Sequence, residues 1–241
     1  MGAVVTSRTR RPPCAAAARR LLWRSGFTVT GGLRVTGPLP AGACVVVANH
    51  SSHADAPALL AALPAACRPV VAAARDHWFE KPSRRAVARG LLGAFPVRRG
   101  GGGSADLMAA RAALRAGRAV VVFPEGTRSR DGGLGEFRSG AFRLAAEAGV
   151  PVVPVGLTGT GALLPVSGGL RPGPVVVAFG EALPTTGRSL ALVAQARDRV
   201  AGLSAGPARP RAHHSPRLSR PFRVRLRRPS LRLNVEPRGK T

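Results

Sequence analysis

The segment VVVANHSSHADAP, residues 45–57, places two histidines and an aspartate directly after an apolar run. His50 and Asp55 are close enough for a folded loop to let the carboxylate accept a hydrogen bond from one ring nitrogen. The other nitrogen is then free to act as a base that activates a hydroxyl group, as in a catalytic dyad. The alternative is that Asp55 only caps a helix and His50 is a polar loop residue. This segment alone leaves both interpretations open.

His53 lies inside the same loop and could in principle be a second metal ligand beside His50 and Asp55. A metal site needs a complete set of ligands, and no further cluster of histidine and cysteine provides one. We therefore interpret His53 as a spacer and expect neither a metal nor a cofactor. The three cysteines form no CxxC pair, and their odd number argues for a reducing compartment.

A second group of polar residues follows another apolar run in VVVFPEGTRSRDGG, residues 120–133. A glycine lets the backbone come close to a ligand, and arginine offers a planar fork that suits phosphate oxygens. Two further loops that follow predicted structural elements also carry arginine. The candidate residues for an anion site are Glu125, Gly126, Thr127, Arg128, Arg98, Arg99, Arg138 and Gly140. The alternative for each arginine is a solvated surface position, because the chain contains 35 of them.

The elements that must position these loops follow from the apolar periodicity. Predicted strands cover residues 44–48, 70–73, 95–97, 119–123, 152–157 and 175–179, and predicted helices cover 55–62, 83–92 and 104–116. Alternation of apolar strands with helices indicates an α/β sandwich, with a largely parallel or mixed central sheet flanked by helices. Ligand sites in such folds lie in loops at strand ends, where His50 and Arg128 both occur.

The length of 241 residues suits one folded domain, with a basic segment on either side. We assign 1–34 to a basic N-terminal segment, 35–204 to the domain, and 205–241 to an Arg/Pro-rich tail that is predicted to be disordered. The net charge of +26 reflects either coding bias in a GC-rich genome or attraction to anions such as lipids or nucleic acid. An aromatic content of 4% with no tyrosine disfavours binding of single-stranded nucleic acid.

Residues 14–24 have apolar side chains at helical spacing, with Arg19, Arg20 and Arg24 off that stripe. Such a helix can lie on an anionic membrane, or it can pack onto the domain. The first 27 residues contain no long apolar stretch, so they predict neither a secretory signal nor a membrane-spanning helix.

Four sequence blocks carry a resemblance to a known family. NHSSHAD (49–55), GAFPVRR (93–99), FPEGTRS (123–129) and VPVVPV (150–155) occur in the order of the four blocks of glycerolipid acyltransferases, and the chain resembles 1-acylglycerol-3-phosphate acyltransferases. The resemblance implies a glycerolipid acyltransferase-like fold, with His50 as general base and Asp55 as its orienting partner. It implies an acceptor phosphate site made by Arg99, Glu125, Gly126, Thr127 and Arg128, with Asn49, Arg98, Arg138, Gly140 and Pro154 in support.

The resemblance implies transfer of a fatty acyl group from acyl-CoA or acyl carrier protein to the free hydroxyl of a lysophospholipid acceptor. The expected acceptor is 1-acylglycerol-3-phosphate, which gives phosphatidic acid. We expect direct transfer, contact with an anionic membrane surface, no nucleic-acid partner, and a cytoplasmic, peripheral position at the inner face of the plasma membrane. Two alternatives remain: another lysolipid such as a lyso-aminolipid, or a non-catalytic basic membrane- or nucleic-acid-binding protein on this scaffold.

The chain departs from the family in two places. ARDHWF, residues 74–79, stands where the family has a basic-acidic-leucine stretch, and the hydrophobic N-terminal segment of many members has no counterpart in this sequence. The acyl-chain preference and the mode of membrane attachment are therefore left open by the resemblance.

Overall fold

A computed structural model describes residues 14–99, 101–129, 133–185 and 189–205. Its centre is a seven-stranded sheet in the order β1-β7-β6-β2-β5-β3-β4. The strands are β1 (Leu33–Thr36), β2 (Cys44–Ala48), β3 (Val70–Ala74), β4 (Ala94–Val97), β5 (Ala119–Val122), β6 (Val152–Thr158) and β7 (Val175–Phe179). Neighbouring strands run parallel except β6 and β7, which are antiparallel.

Helices connect and cover these strands. They are α1 (Cys14–Val29), α2 (Asp55–Ala62), α3 (Arg75–Trp78), α4 (Pro82–Gly90), α5 (Gly103–Met108), α6 (Arg111–Arg115), α7 (Gly140–Ala148), α8 (Thr160–Leu163) and α9 (Ser189–Ser204), with a short 3-10 turn at Ala65–Cys67. The predicted fold class, a parallel or mixed sheet flanked by helices, is confirmed.

The sheet separates two hydrophobic layers, because successive side chains of a strand point to opposite faces. In β2, Val46 and Ala48 pack into the layer that contains α2 and Phe27 of α1. Val45 and Val47 pack into the other layer, which contains side chains of α7 and α9. All five residues of β2 are buried, as expected for a central strand covered on both sides.

The six predicted strands are present, but several other elements differ from the prediction. The helix predicted over 104–116 is wrong as one element: it is split into α5 and α6, because the backbone tightens to i→i+3 hydrogen bonds at the junction, with Ala110 N donating to Leu107 O. The helix predicted over 83–92 is α4, which begins at Pro82 and ends at Gly90. Strand β1 and helices α3, α7, α8 and α9 were not predicted.

Helix α1 packs onto the domain but turns the predicted apolar stripe outwards. Trp23 packs against the core and its Nε1 donates to Leu91 O at 3.0 Å, while Phe27 is buried. Leu21 and Leu22 on the opposite side of the helix are 68% and 51% exposed. The face of α1 that contains Trp23 and Phe27 packs onto the domain. The alternative, contact with a membrane, would use the opposite face, which contains Leu21 and Leu22.

The predicted tail, 205–241, lies outside the described residues apart from Ala205, as do residues 1–13 of the predicted N-terminal segment. Among the helices that the structure describes, none has the combination of length and apolar character that a membrane crossing requires.

Candidate active site

The loop between β2 and α2 brings His50 and Asp55 into direct contact. His50 Nδ1 lies 2.8 Å from Asp55 Oδ2, and the Asp55 side chain is fully buried. An ionised carboxylate can only accept a hydrogen bond, so Nδ1 carries the hydrogen and Nε2 keeps its lone pair. The structure therefore forms the contact that the spacing predicted, and the imidazole has one nitrogen available as a base.

The same carboxylate also fixes the loop. Asp55 Oδ2 accepts from the backbone N–H groups of Ser51 and Ser52, at 2.7 Å each. The residue at the N-cap of α2 is Ala54, so Asp55 is not the helix cap that the alternative interpretation proposed. Three donors converge on one buried oxygen, which holds His50 in a single orientation.

Phe123 covers one face of the His50 ring. The two ring centroids are 4.1 Å apart and the ring planes differ by 17°. Phe123 directly follows β5, which lies next to β2 in the sheet. Sequence reasoning did not assign this residue, although its place at the end of a predicted strand gave a signal, because neighbouring parallel strands end at the same edge of a sheet.

Glu125 joins the two polar loops. The residue is 8% exposed, its Oε1 accepts from the backbone N–H of His50 at 2.7 Å, and its Oε2 accepts from the N–H of Gly135 at 2.9 Å. The backbone N–H of Ser129 returns a bond to His50 O at 2.8 Å. Both oxygens of the predicted phosphate ligand are thus engaged by backbone donors of this chain.

The predicted arginines divide into engaged side chains and one that retains an unused donor. Arg98 forms an ion pair with Asp106, and Arg99 forms one with Asp76. Arg138 Nη1 donates to Arg99 O at 3.0 Å. The buried Nη1 of Arg128 has no hydrogen-bond partner within the described part of the chain. Burial lowers the pKa of Arg128, and Arg99 lowers it further. The Arg128 guanidinium therefore keeps a donor that the described residues do not use.

A pocket of about 490 Å³ connects these groups. It is lined by His50, Phe123 and the predicted site residues Arg98, Arg99, Gly126, Thr127, Arg128, Arg138 and Gly140. Apolar side chains from three strands and from Trp78, Leu92 and Leu107 form much of the remaining wall. The pocket therefore combines a candidate base, several cations and an apolar surface at one edge of the sheet.

Two glycines make room in this pocket. Gly126 has φ of +73°, and a Cβ there would lie 3.0 Å from the Arg138 guanidinium carbon. A Cβ at Gly140, the first residue of α7, would lie 3.1 Å from Leu107 Cδ1. Gly126 therefore needs both the left-handed backbone and the missing side chain.

Two of the predicted supporting residues lie outside the lining of the pocket as the structure describes it. Asn49 bridges β2 to β6, with Nδ2 donating to Leu157 O at 3.0 Å and Leu157 N donating to Oδ1 at 2.7 Å. Pro154 pairs with Val47 within the sheet. Conversely, His53, His77 and Trp78 do line the pocket, although none of them was assigned to the site. Within the described residues, no cluster of three or more His, Cys, Asp or Glu side chains is arranged to hold a metal.

The geometry can be compared with known proteins. A family model described as Acyltransferase matches residues 32–158, more than half of the chain. A 1-acyl-sn-glycerol-3-phosphate acyltransferase of Chlamydomonas reinhardtii is 45% identical over 97 residues, which cover 39% of this chain and 29% of that protein. The human 1-acyl-sn-glycerol-3-phosphate acyltransferase beta is 34% identical over 152 residues, covering 61% of this chain and 53% of the human protein. The chain thus spans at most about half the length of these relatives.

A crystal structure shows the same architecture. The 1-acyl-sn-glycerophosphate acyltransferase PlsC of Thermotoga maritima aligns with a TM-score of 0.68 and 28% identity, over 80% of both chains. The matched family segment contains β2, the His50–Asp55 loop, β5 and the Glu125–Arg128 loop. The fold, the four blocks and the family match agree, and this chain belongs to the acyltransferase family.

Proposed function

We propose that this protein transfers an acyl group from an acyl thioester to the free hydroxyl of 1-acylglycerol-3-phosphate and so forms phosphatidic acid. The observation that carries the proposal is one pocket that holds both the oriented imidazole of His50 and the buried Nη1 of Arg128, which no described residue engages in a hydrogen bond. The names of the relatives above support the same acceptor.

In the proposed reaction, His50 Nε2 takes the proton of the acceptor hydroxyl as its oxygen attacks the thioester carbonyl. The tetrahedral intermediate then collapses, the carbon–sulfur bond breaks, and the imidazolium returns the proton to the leaving thiolate. Asp55 remains ionised and stabilises the imidazolium while it exists. The products are the new ester and a free thiol.

The acceptor phosphate fits the cationic part of the pocket. A bidentate contact between guanidinium and phosphate is strong and directional, and Arg128 has a donor available for it. The N-terminus of α7, which is the positive end of the helix dipole, also borders the pocket, since Ser139, Gly140 and Ala141 line it. A partly buried guanidinium that keeps a donor unused by the described residues favours an anionic headgroup over the cationic headgroup of a lyso-aminolipid.

The donor is an acyl thioester of CoA or of acyl carrier protein, and the apolar wall can accommodate hydrocarbon. We also propose contact with an anionic membrane surface, because the acceptor is a lipid and the chain has a net charge of +26.

The test is thiol release from both classes of acyl donor in the presence of 1-acylglycerol-3-phosphate and a panel of other lysolipids. We expect His50→Ala to abolish transfer, because the proton acceptor is lost. Asp55→Asn should cost roughly two to four orders of magnitude, since an amide can keep the hydrogen bond but not the charge. Thermal unfolding checks that each variant is folded. Wild-type turnover by a folded His50→Ala protein would refute the proposed base.

A further inference from the structure

Two histidines outside the proposed catalytic pair meet beside it in the pocket. His53 comes from the β2–α2 loop and His77 from α3, and their ring centroids are 5.6 Å apart with an interplanar angle of 24°. The Trp78 ring stands edge-on to both, at 6.0 Å from His53 and 5.3 Å from His77. All three line the pocket that contains His50 and Arg128.

Cations surround this histidine pair. The charged or titratable groups that act on His53 are Arg128, His77, His50 and Asp55. Those that act on His77 are Arg84, Arg128, Arg99 and Asp76. Arg128 lines the same pocket and acts electrostatically on both imidazoles, and in each set it is accompanied by further groups that are cationic when protonated. An anion bound at Arg128 would change the charge that both histidines experience.

Burial and the neighbouring cations disfavour the protonated form of both rings. Burial and, after it, the positive charge of Arg128 lower the pKa of His53 to about 4. Burial and, after it, Arg84 lower the pKa of His77. An imidazole in such surroundings gains a proton when a sufficiently negative ligand offsets the neighbouring cations.

We propose that His53 and His77 form the proton-dependent part of the acceptor's phosphate site and select a phosphomonoester headgroup over a phosphodiester. The inference rests on the proposed function, because it places the acceptor phosphate at Arg128. It goes further by naming two additional specificity-determining residues and the charge of the headgroup as the property that they select.

The selectivity follows from charge. A phosphomonoester carries about −1.5 to −2 at pH 7 and a phosphodiester carries one negative charge. The dianion offsets more of the repulsion from Arg84, Arg99 and Arg128, so it raises the pKa of both imidazoles further. Each protonated imidazole then donates a charge-assisted hydrogen bond to a phosphate oxygen. A monoanion recruits fewer protons and forms weaker bonds with the same side chains.

Because phosphate binding and histidine protonation favour each other, the direction in which acceptor affinity changes with pH is determined. In the free protein His53 gains its proton only as the pH falls to about 4 and below, whereas in the complex its pKa is higher. Acceptor binding therefore takes up protons at pH values between the pKa of the free protein and that of the complex. The affinity for the dianion increases as the pH falls from 8 towards 6. Below about pH 6 the phosphomonoester itself is protonated, which opposes any further gain.

The experiment compares 1-acylglycerol-3-phosphate with its phosphate methyl ester, which differs only in the charge and one methyl group of the headgroup. Calorimetry in detergent without donor gives affinity, and repetition in buffers of different ionisation enthalpy gives the protons taken up. Wild type and His50→Ala are both measured, because the second removes the titration of the proposed base. We expect proton uptake with the monoester and an affinity that increases from pH 8 to pH 6.5.

The double variant His53→Asn/His77→Asn should reduce the preference for the monoester by about tenfold or more and flatten its pH dependence, since charge-assisted hydrogen bonds are lost. His77→Phe keeps an aromatic ring against His53 and Trp78 but cannot take up a proton, so it should lose preference as well. An unchanged preference in His77→Phe would show that the ring packs only, and would overturn the proposal.

Arg128→Ala distinguishes an error in the proposed acceptor site from an error in the role assigned to His53 and His77. If it leaves acceptor affinity unchanged, the phosphate does not bind at Arg128 and the acceptor site of the proposed function is wrong. If Arg128→Ala loses affinity while the histidine variants keep the wild-type pH dependence and monoester preference, this inference alone is wrong.

Discussion

At the scale of single residues, two buried carboxylates hold the site together. Asp55 binds the His50 ring and two backbone N–H groups, and Glu125 binds the N–H groups of His50 and Gly135. Both oxygens of Glu125 are engaged in this way, and its negative charge would repel a phosphate, so Glu125 is poorly suited as a phosphate ligand. We therefore assign Glu125, predicted as part of the acceptor site, a positioning role, and leave phosphate contact to Arg128.

Glu125→Gln should mainly lower kcat, because one backbone donor loses its acceptor and the His50 loop shifts. A misplacement of about 1 Å can cost roughly 100-fold in rate. Arg128→Ala should instead raise the acceptor KM, since it removes a proposed phosphate contact. Steady-state kinetics on both variants, with unfolding midpoints as the control, distinguish the roles. A large increase in acceptor KM with unchanged kcat in Glu125→Gln would return Glu125 to the phosphate site.

The ring of Phe123 is a second positioning feature, because it lies flat on His50 at 4.1 Å. Phe123→Leu keeps apolar volume but loses the flat stacking partner, and should lower kcat with little effect on either KM. Phe123→Tyr keeps the ring and should retain most of the activity. Equal activity of Phe123→Leu and wild type, measured at saturating substrates, would show that Asp55 alone orients the imidazole.

At the scale of elements, α1 and α4 each expose basic and apolar side chains. In α4 only Ala88 is buried, and Arg84, Arg85 and Arg89 are exposed. Residue Glu80, just before this helix, is the nearest acidic side chain in sequence. Trp23 of α1 donates to the carbonyl of Leu91, which follows α4. A surface with this composition is suited to the headgroup region of an anionic bilayer.

Replacing Leu21 and Leu22 with serine should weaken binding to anionic vesicles by roughly tenfold or more, because each leucine loses the free energy of burial in the interface. Leu190→Ser, on α9, is the matched control, since that leucine is 80% exposed on another helix. Activity towards acceptor in detergent should be unchanged in both the double variant and the control. Equal vesicle binding of the double variant and the Leu190→Ser control would exclude α1 as the membrane contact.

At the scale of the whole molecule, positive charge exceeds negative charge by 26, and residues 205–241 contain eleven basic residues against one acidic residue. That segment has too few apolar residues to predict a core of its own. Its charge is therefore either a means of binding anionic surfaces or a consequence of coding bias, and the two alternatives predict different salt dependence.

Deleting residues 205–241 should leave catalysis in detergent intact and weaken binding to anionic vesicles at low salt, because each basic residue near such a surface contributes about 1 kcal/mol. High salt should remove most of the difference, since exposed charges are screened beyond about 8 Å at physiological ionic strength. Co-sedimentation of full-length and truncated protein at both salt concentrations decides the question. Equal binding at low salt would refute an electrostatic tail.

The sequence by itself determined the features that depend on neighbours along the chain. Apolar runs predicted six strands, because strand burial is a local pattern, and the His50–Asp55 spacing predicted a contact that closes within one loop. The four blocks indicated the family, which the family match confirms. Strand β1 was not predicted, since its four residues alternate between partly buried and exposed and give a weak signal.

The tertiary structure decided which distant groups meet. The bond between Glu125 and His50 joins residues 75 positions apart, and Asn49 and Leu157 are 108 positions apart. Neither pairing follows from spacing, because each depends on the strand order β6-β2-β5-β3 that places these loops at one edge of the sheet. The contact of His53 with His77 has the same origin. Side-chain periodicity fixes which residues are buried, whereas the order of the strands fixes which loops become neighbours.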